Sequence, residues 1–283
     1  MIVEENVSNS GKVIYDIIKN KKNFFIGRMP GIEGCTIKDY LEHGVVSDNY
    51  KHLVQQNAGF YCLSDNLDKV LKKWCEIYLD SLRNCDLLFR LEFPAQSATF
   101  DDLVKDYYKT IYVFSCARLH LWVPALEGKK ILVISPFEKS IKIQFSKRQH
   151  LFKTGKQNNF EYPEFELLTL KCPNTIKGNE PFPHNDWLET FEDVCKKVDQ
   201  FDFDIAILGC GSYGMPLAHY IKKIGKSSIY AGAYTQVMFG IKGKRWDIEG
   251  NPHRSFWNDY WKWPEDIEIP KTANKVEGGC YWK

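Results

Sequence analysis

The chain has 283 residues, 44% of them hydrophobic and 14% aromatic, with a net charge of only +2. That is enough chain to bury a substantial core, and the near-neutral balance argues against a disordered or nucleic-acid-binding protein. Nine scattered cysteines form no CxxC pair and no Cys/His cluster, which excludes a disulfide framework and a zinc site and fits a reducing compartment.

Lys12 to Lys19 reads as an amphipathic helix, with Val13, Tyr15, Ile17 and Ile18 available for burial. Asn23 to Gly27 reads as the first strand and delivers Arg28-Met29-Pro30-Gly31-Ile32-Glu33 at its end. A helix is expected over Thr36 to Glu42, with Thr36 and Asp39 spaced as a capping box. Leu67 to Leu82 carries Val70, Leu71, Trp74, Tyr78, Leu79 and Leu82 at helical spacing. Asp86 to Leu91 reads as a strand, Leu103 to Lys109 as a short helix and Ile111 to Phe114 as another strand. Trp122 to Leu126 reads as a loop. Lys130 to Ser135 is the clearest strand of the first half, ended by Pro136, with a basic amphipathic helix over Glu138 to Phe152. Ser135, Ser140 and Gln144 follow that strand and are candidates for the same crevice. Phe165 to Leu170 is a further strand. Pro173 to Asn185 is a Pro/Gly-rich loop in which His184 is a candidate base, and Asp186 to Val198 is a helix.

The most informative stretch is Phe203 to Trp246. Ile205 to Leu208 is a short apolar run of strand length, and Gly209, Gly211 and Gly214 follow in GxGxxG spacing. A helix over Met215 to Ile224 comes next, ended by Gly225, and then a second strand, Ser228 to Ala231. A glycine turn between a strand and a helix lets backbone amides approach a diphosphate at the positive end of the helix. The expected diphosphate-binding residues are therefore Gly209, Gly211, Ser212, Tyr213 and Gly214. A packing turn is the plainer reading of the same glycines. A dinucleotide-binding unit also wants an acid roughly 20 residues after its glycines. Here no Asp or Glu occurs between Asp204 and Asp247, whereas Lys222, Lys223, Lys226, Lys242, Lys244 and Arg245 all do. One sign of charge over so long a window favours an anion held through phosphate contacts. Lys222, Lys223 and Lys226 read as a solvated face, and Lys242, Lys244 and Arg245 as part of a shaped basic loop.

Strands alternating with helices predict an α/β fold, a mostly parallel Rossmann-like sheet with helices on both faces, as one domain over residues 1–283. Residues 254–283 are rich in Trp and Pro and read as an arm over the sheet edge, or as an aromatic platform for a sugar. No apolar run is long enough for a transmembrane segment and MIVEENVSNSGK has no signal-peptide core, so a cytoplasmic location is expected.

With Arg28 to Glu33 and Phe203 to Gly240 both in view, the chain resembles the GT-D type of glycosyltransferases, Rossmann-like enzymes of polysaccharide biosynthesis. That family carries Arg-Ile-Gly-Asp-Gly-Glu after its first strand. Arg28 and Glu33 keep the outer pair at the same spacing, and Gly209, Gly211, Gly214 and Gly232 fit its later glycine signature. The resemblance implies a glycosyltransferase that moves a sugar from a UDP- or GDP-sugar to a glycan or protein-linked acceptor hydroxyl. It implies Glu33 and Arg28 as catalytic residues, and Mn or Mg bound by an Asp-x-Glu pair. Here Gly31 stands at the Asp position and only Glu33 remains, so Lys242, Lys244 and Arg245 are the alternative partners for the diphosphate. An NAD(P)-dependent Rossmann oxidoreductase and a non-catalytic glycan-binding module are the competing readings.

Overall fold

The apolar runs at Phe25–Arg28, Lys130–Ser135, Ile205–Leu208 and Ser227–Tyr230 form largely buried strands. A computed structural model describes residues 2–4, 7–89, 111–114, 118–153 and 160–283. Its strands are β1 (Ile2–Glu4), β2 (Phe25–Arg28), β3 (Leu87–Phe89), β4 (Ile111–Phe114), β5 (Lys130–Ser135), β6 (Glu166–Lys171), β7 (Ile205–Leu208) and β8 (Ser227–Tyr230). They make one sheet in the order β1-β4-β3-β2-β8-β7-β5-β6, with every pairing parallel. In β5, Leu132 and Ile134 enter one core while Ile131 and Val133 enter the other, and β7 repeats this with Ala206 and Leu208 against Ile205 and Ile207. A parallel sheet needs both faces covered, and continuous apolar runs are its signature.

The first face is covered by α2 (Gly31–His43), α4 (Leu67–Asn84), α8 (Trp187–Val198) and α9 (Gly214–Lys223), whose buried side chains share one cluster. The second face is covered by α1 (Val7–Asn20), α5 (Leu119–Trp122), α6 (Glu138–Phe145), α7 (Arg148–Leu151) and α10 (Tyr234–Met238). The fold is thus an α/β, Rossmann-like parallel sheet with helices on both faces.

Several elements differ from expectation. Helix α2 starts five residues before Thr36, with Pro30 at its N-cap. Thr36 therefore sits inside the helix, where its hydroxyl donates to the Ile32 carbonyl, and the Asp39 carboxylate accepts from the Ser47 amide instead of capping. This shift places Glu33 in the first turn of α2. The long helix expected over 138–152 is broken into α6 and α7, and the expected loop at 122–126 is a 3-10 turn continuing α5. A short helix α3 (Asp48–Leu53) runs into a π turn at Val54–Ala58. The expected helix at 103–109 lies outside the described residues.

The C-terminal segment packs on the second face rather than over an edge. Trp246, Trp261 and Trp282 are buried in that core. The Glu268 carboxylate accepts from the Lys139 and Ser140 amides and from the Ser140 hydroxyl, so it caps the first turn of α6 from outside. Acidic caps at a helix N-terminus are favourable because the free amides there carry partial positive charge.

Candidate functional site

The four strands β2, β8, β7 and β5 lie side by side, and the segments that follow them leave in alternate directions. Helices α2 and α9, after β2 and β7, lie on the first face; α10 and α6, after β8 and β5, lie on the second. Connections diverging from neighbouring parallel strands open a crevice at the strands' C-terminal ends, where open α/β sheets bind ligands. A cleft of about 950 Å³ occupies that place, lined by Arg28 from β2, Tyr230 and Gly232 from the end of β8, Gly209 after β7 and Ser135 from β5. The two stretches singled out in the sequence, Arg28 to Glu33 and the glycine turn, thus open into one cavity.

Glu33 is only 4% exposed. Burial pushes its carboxyl up from 4.5 to about 7, against the lowering effect of its own backbone hydrogen bond and of Arg28, with Glu277 adding to the rise. Tyr78 and Tyr230 are buried beside it, and burial, then the Glu33 charge, holds both phenols well above their ordinary value. The Arg28 guanidinium crosses over Gly232. That glycine has φ +59, and a Cβ there would fall 2.0 Å from Arg28 Nη1. Only glycine admits both the left-handed backbone and the guanidinium.

The glycine turn is tightly packed by the chain itself. A Cβ on Gly214 would fall 2.1 Å from the Tyr230 ring, on Gly211 2.8 Å from the Ala58 carbonyl oxygen, and on Gly209 2.6 Å from the Thr235 hydroxyl. Tyr230 donates its hydroxyl proton to the Gly211 carbonyl at 2.9 Å. The π turn brings Asn57, Ala58 and Gly59 to the cleft wall. Thr175 ties it to the glycine turn, its hydroxyl reaching the Gly59 carbonyl at 2.5 Å and the Tyr213 hydroxyl at 2.9 Å. Turns of this kind recur at functional sites.

The basic loop forms another wall. Lys244 donates to the Gly278 carbonyl at 3.1 Å. Arg245 lies 4.2 Å over the Tyr281 ring and contacts the Glu277 carboxylate at 2.7 Å. Burial works against its charge, but Tyr281, Cys280 and Glu277 outweigh that and hold it firmly cationic. Two of the cleft's carboxylates are paired, Glu277 with Arg245 and Asp247 with Arg254 at 3.1 Å, and burial keeps Glu33 only partly ionised near neutrality. Arg28, Lys244 and Arg245 place three cationic groups in the cleft's lining.

Of the residues picked out in the sequence, Arg28, Glu33, Ser135, Gly209, Gly211, Tyr213, Gly232, Lys244 and Arg245 line the cleft. The others serve elsewhere. The Ser212 hydroxyl accepts from the Trp187 indole, and Gly214 packs on Tyr230. Lys242 lies 5.1 Å over the Trp257 ring. Ser140 holds Glu268, Gln144 donates to the Gly240 and Tyr260 carbonyls, and His184 pairs with Thr190 at 3.0 Å. Lys222, Lys223 and Lys226 pair with Asp86, Asp80 and Asp202. Sequence reasoning missed Asn57, His253, Glu277 and Tyr281, all in the cleft wall. The one signal for Glu277 was the Gly278-Gly279 pair after it, a turn marker in a segment read only for its tryptophans.

The donor set does not fit a divalent metal. Such ions take about six oxygen ligands, with carboxylates as the usual anchors. Glu33 is buried beside Arg28, Gly31 offers no side chain, and Glu277 is engaged by Arg245. Among the described residues, no three His, Cys, Asp or Glu side chains are grouped as a metal site.

No protein-family model and no curated protein matches the chain. Among solved structures, it is similar to "A New Glycosyltransferase (DUF1792) from Streptococcus sanguinis", with a TM-score of 0.46 and 11% sequence identity, over 95% of this chain and 96% of that one. No helix among the described residues is long and apolar enough to cross a membrane.

Proposed function

We propose that the protein is a glycosyltransferase that moves a sugar from a nucleoside-diphosphate sugar to an acceptor hydroxyl. One observation carries this reading: Arg28 and the adjacent pair Lys244 and Arg245, from two distant parts of the chain, meet the buried carboxyl of Glu33 in one cleft at the strand ends. A cleft lined by three cationic side chains suits a diphosphate, and a carboxyl poised near neutrality suits proton transfer. The bond from the sugar's anomeric carbon to the diphosphate oxygen breaks, and the acceptor oxygen bonds to that carbon. The acceptor's proton passes to Glu33, and the leaving diphosphate keeps the electron pair. Arg28, Lys244 and Arg245 stabilise the charge that develops there, so no step is routed through a metal.

A pyridine-dinucleotide site would place a carboxylate at the end of β8 to hold ribose hydroxyls. The Arg28 guanidinium fills the space beside Gly232 instead. A glycan platform built on the tail is disfavoured because Trp261 and Trp282 are core residues and Lys242 covers Trp257. The test is a thermal-shift screen of UDP- and GDP-sugars with wild type and Arg28→Gln. A melting-temperature rise in the wild type that the variant loses supports the reading. Indifference of the wild type to every nucleoside diphosphate and its sugar would sink it.

A further inference from the structure

The basic loop's two cleft cations are already occupied, and by the same short segment. Lys244 donates to the Gly278 carbonyl and Arg245 contacts the Glu277 carboxylate. The segment 275–282 is tethered on either side of these contacts. Gln56 donates to the Lys275 carbonyl at 2.9 Å, Gln236 to the Tyr281 carbonyl at 3.0 Å, and the Arg245 amide to the Cys280 carbonyl at 3.0 Å. Between the tethers the backbone is unusual. Glu277 has φ +47, and Gly278 and Gly279 follow at +68 and +85. A glutamate gains nothing from a left-handed conformation in itself, and such positions gather at ligand clamps and switches.

The contact that this turn makes is incomplete. Guanidinium groups bind carboxylates best through two parallel hydrogen bonds. Arg245 uses Nη2 alone, towards both Glu277 and Cys280, and its buried Nε has no partner. The two side chains remain 26% and 49% exposed at the cleft. Glu277 is also a like-charge neighbour of Glu33. A carboxylate in a left-handed turn, on one nitrogen of an arginine and facing another acid, is the arrangement of an anion holding a place for a better one.

We propose that Glu277 is a built-in counter-anion for an anion subsite formed by Arg245 and Lys244, which a ligand diphosphate takes over by displacing the segment Glu277–Gly279. A diphosphate offers oxygens to both Arg245 and Lys244, replacing one carboxylate contact and one neutral carbonyl. This inference rests on the diphosphate reading of the cleft and adds to it an internal competitor.

The experiment is calorimetric titration of the full chain with inorganic pyrophosphate, for wild type, Glu277→Gln, Glu277→Gly, Arg245→Gln and the Arg245→Gln/Glu277→Gly double variant. Glycine suits the left-handed position, so Glu277→Gly keeps the turn. Both single Glu277 variants are expected to bind pyrophosphate about two- to fivefold more tightly, the range of a part-exposed ion pair. The gain should vanish in the Arg245→Gln background, because it comes from freeing Arg245. A gain that persists there reflects general charge reduction and overturns the proposal. Unchanged or weaker binding in both Glu277 variants also overturns it, and leaves the diphosphate reading standing if the wild type binds. Failure of wild type and every variant to bind overturns both.

Discussion

Replacing Glu33 by glutamine should make the protein more stable at alkaline pH and less active. Burial raises the carboxyl from 4.5 to about 7. Between those values the folded chain holds a proton that the unfolded chain has released. Stability therefore falls as pH rises through that window, and the full cost of the buried charge is present above about 7. At roughly 1.4 kcal/mol per unit, that cost is about 3 kcal/mol. Glutamine is neutral at every pH and close in shape, so it mimics the protonated acid. Chemical denaturation near pH 8.5 should show Glu33→Gln about 3 kcal/mol more stable, a melting shift of roughly 5 °C, while near pH 4 the two proteins should differ little. A protein keeps such a costly group when its reaction needs it, so sugar transfer should rise with pH through about 7 in wild type and be lost in the variant. A variant that is less stable at high pH, or equally shifted at both, would refute the reasoning.

Gly214→Ala should cost about 1–3 kcal/mol in urea denaturation, because its Cβ would fall 2.1 Å from the Tyr230 ring. Helix propensity alone predicts a gain there, so the sign decides. Gly232→Ala should displace Arg28, whose Nη1 lies 2.0 Å from the added carbon, and weaken pyrophosphate binding by about ten- to a hundredfold in titration. His219 is buried against Phe25, and burial, then Lys223, pulls its pKa from 6.5 down to about 4. The unfolded chain takes up that proton first as pH falls, so about 3 kcal/mol of stability should be lost between pH 6.5 and 4, and His219→Phe should reduce the loss. Pyrophosphate affinity measured with and without a chelator should be the same.

Most strands were legible in the sequence because they are short apolar runs, whereas Ile2–Glu4 carried no such signal. Lys130 to Ser135 and Ile205 to Leu208 keep their expected bounds. The start of α2 was not, because Thr36 and Asp39 imitate a capping box while Pro30 holds the real N-cap. Convergence of Arg28 and Gly209 was legible for a simple reason: ends of parallel strands gather at one edge. The same logic chose Ser140 and Gln144, and there it chose residues of the wall that anchors the tail. Helix α6 leaves on the second face, and its first turn is filled by Glu268, 128 residues away from Ser140. No local pattern announces a cap supplied from so far along the chain. Glu277 and Tyr281 were hidden in the same way, since the tail's tryptophans explain its composition without reference to a site.

The glycine motif led to the right cavity for a reason other than the expected one. In a phosphate-cradling turn the missing side chains make room for the ligand. Here the space beside Gly214 is taken by Tyr230, that beside Gly211 by the Ala58 carbonyl, and that beside Gly209 by Thr235. All three glycines are therefore required by packing, whatever the cleft binds. The case for a diphosphate shifts to the side chains of Arg28, Lys244 and Arg245, which line the same cleft. The two origins separate by experiment. Substitution of these glycines should lower stability and binding together, whereas a charge-neutral replacement at Lys244 should lower binding and leave the unfolding midpoint nearly where it was.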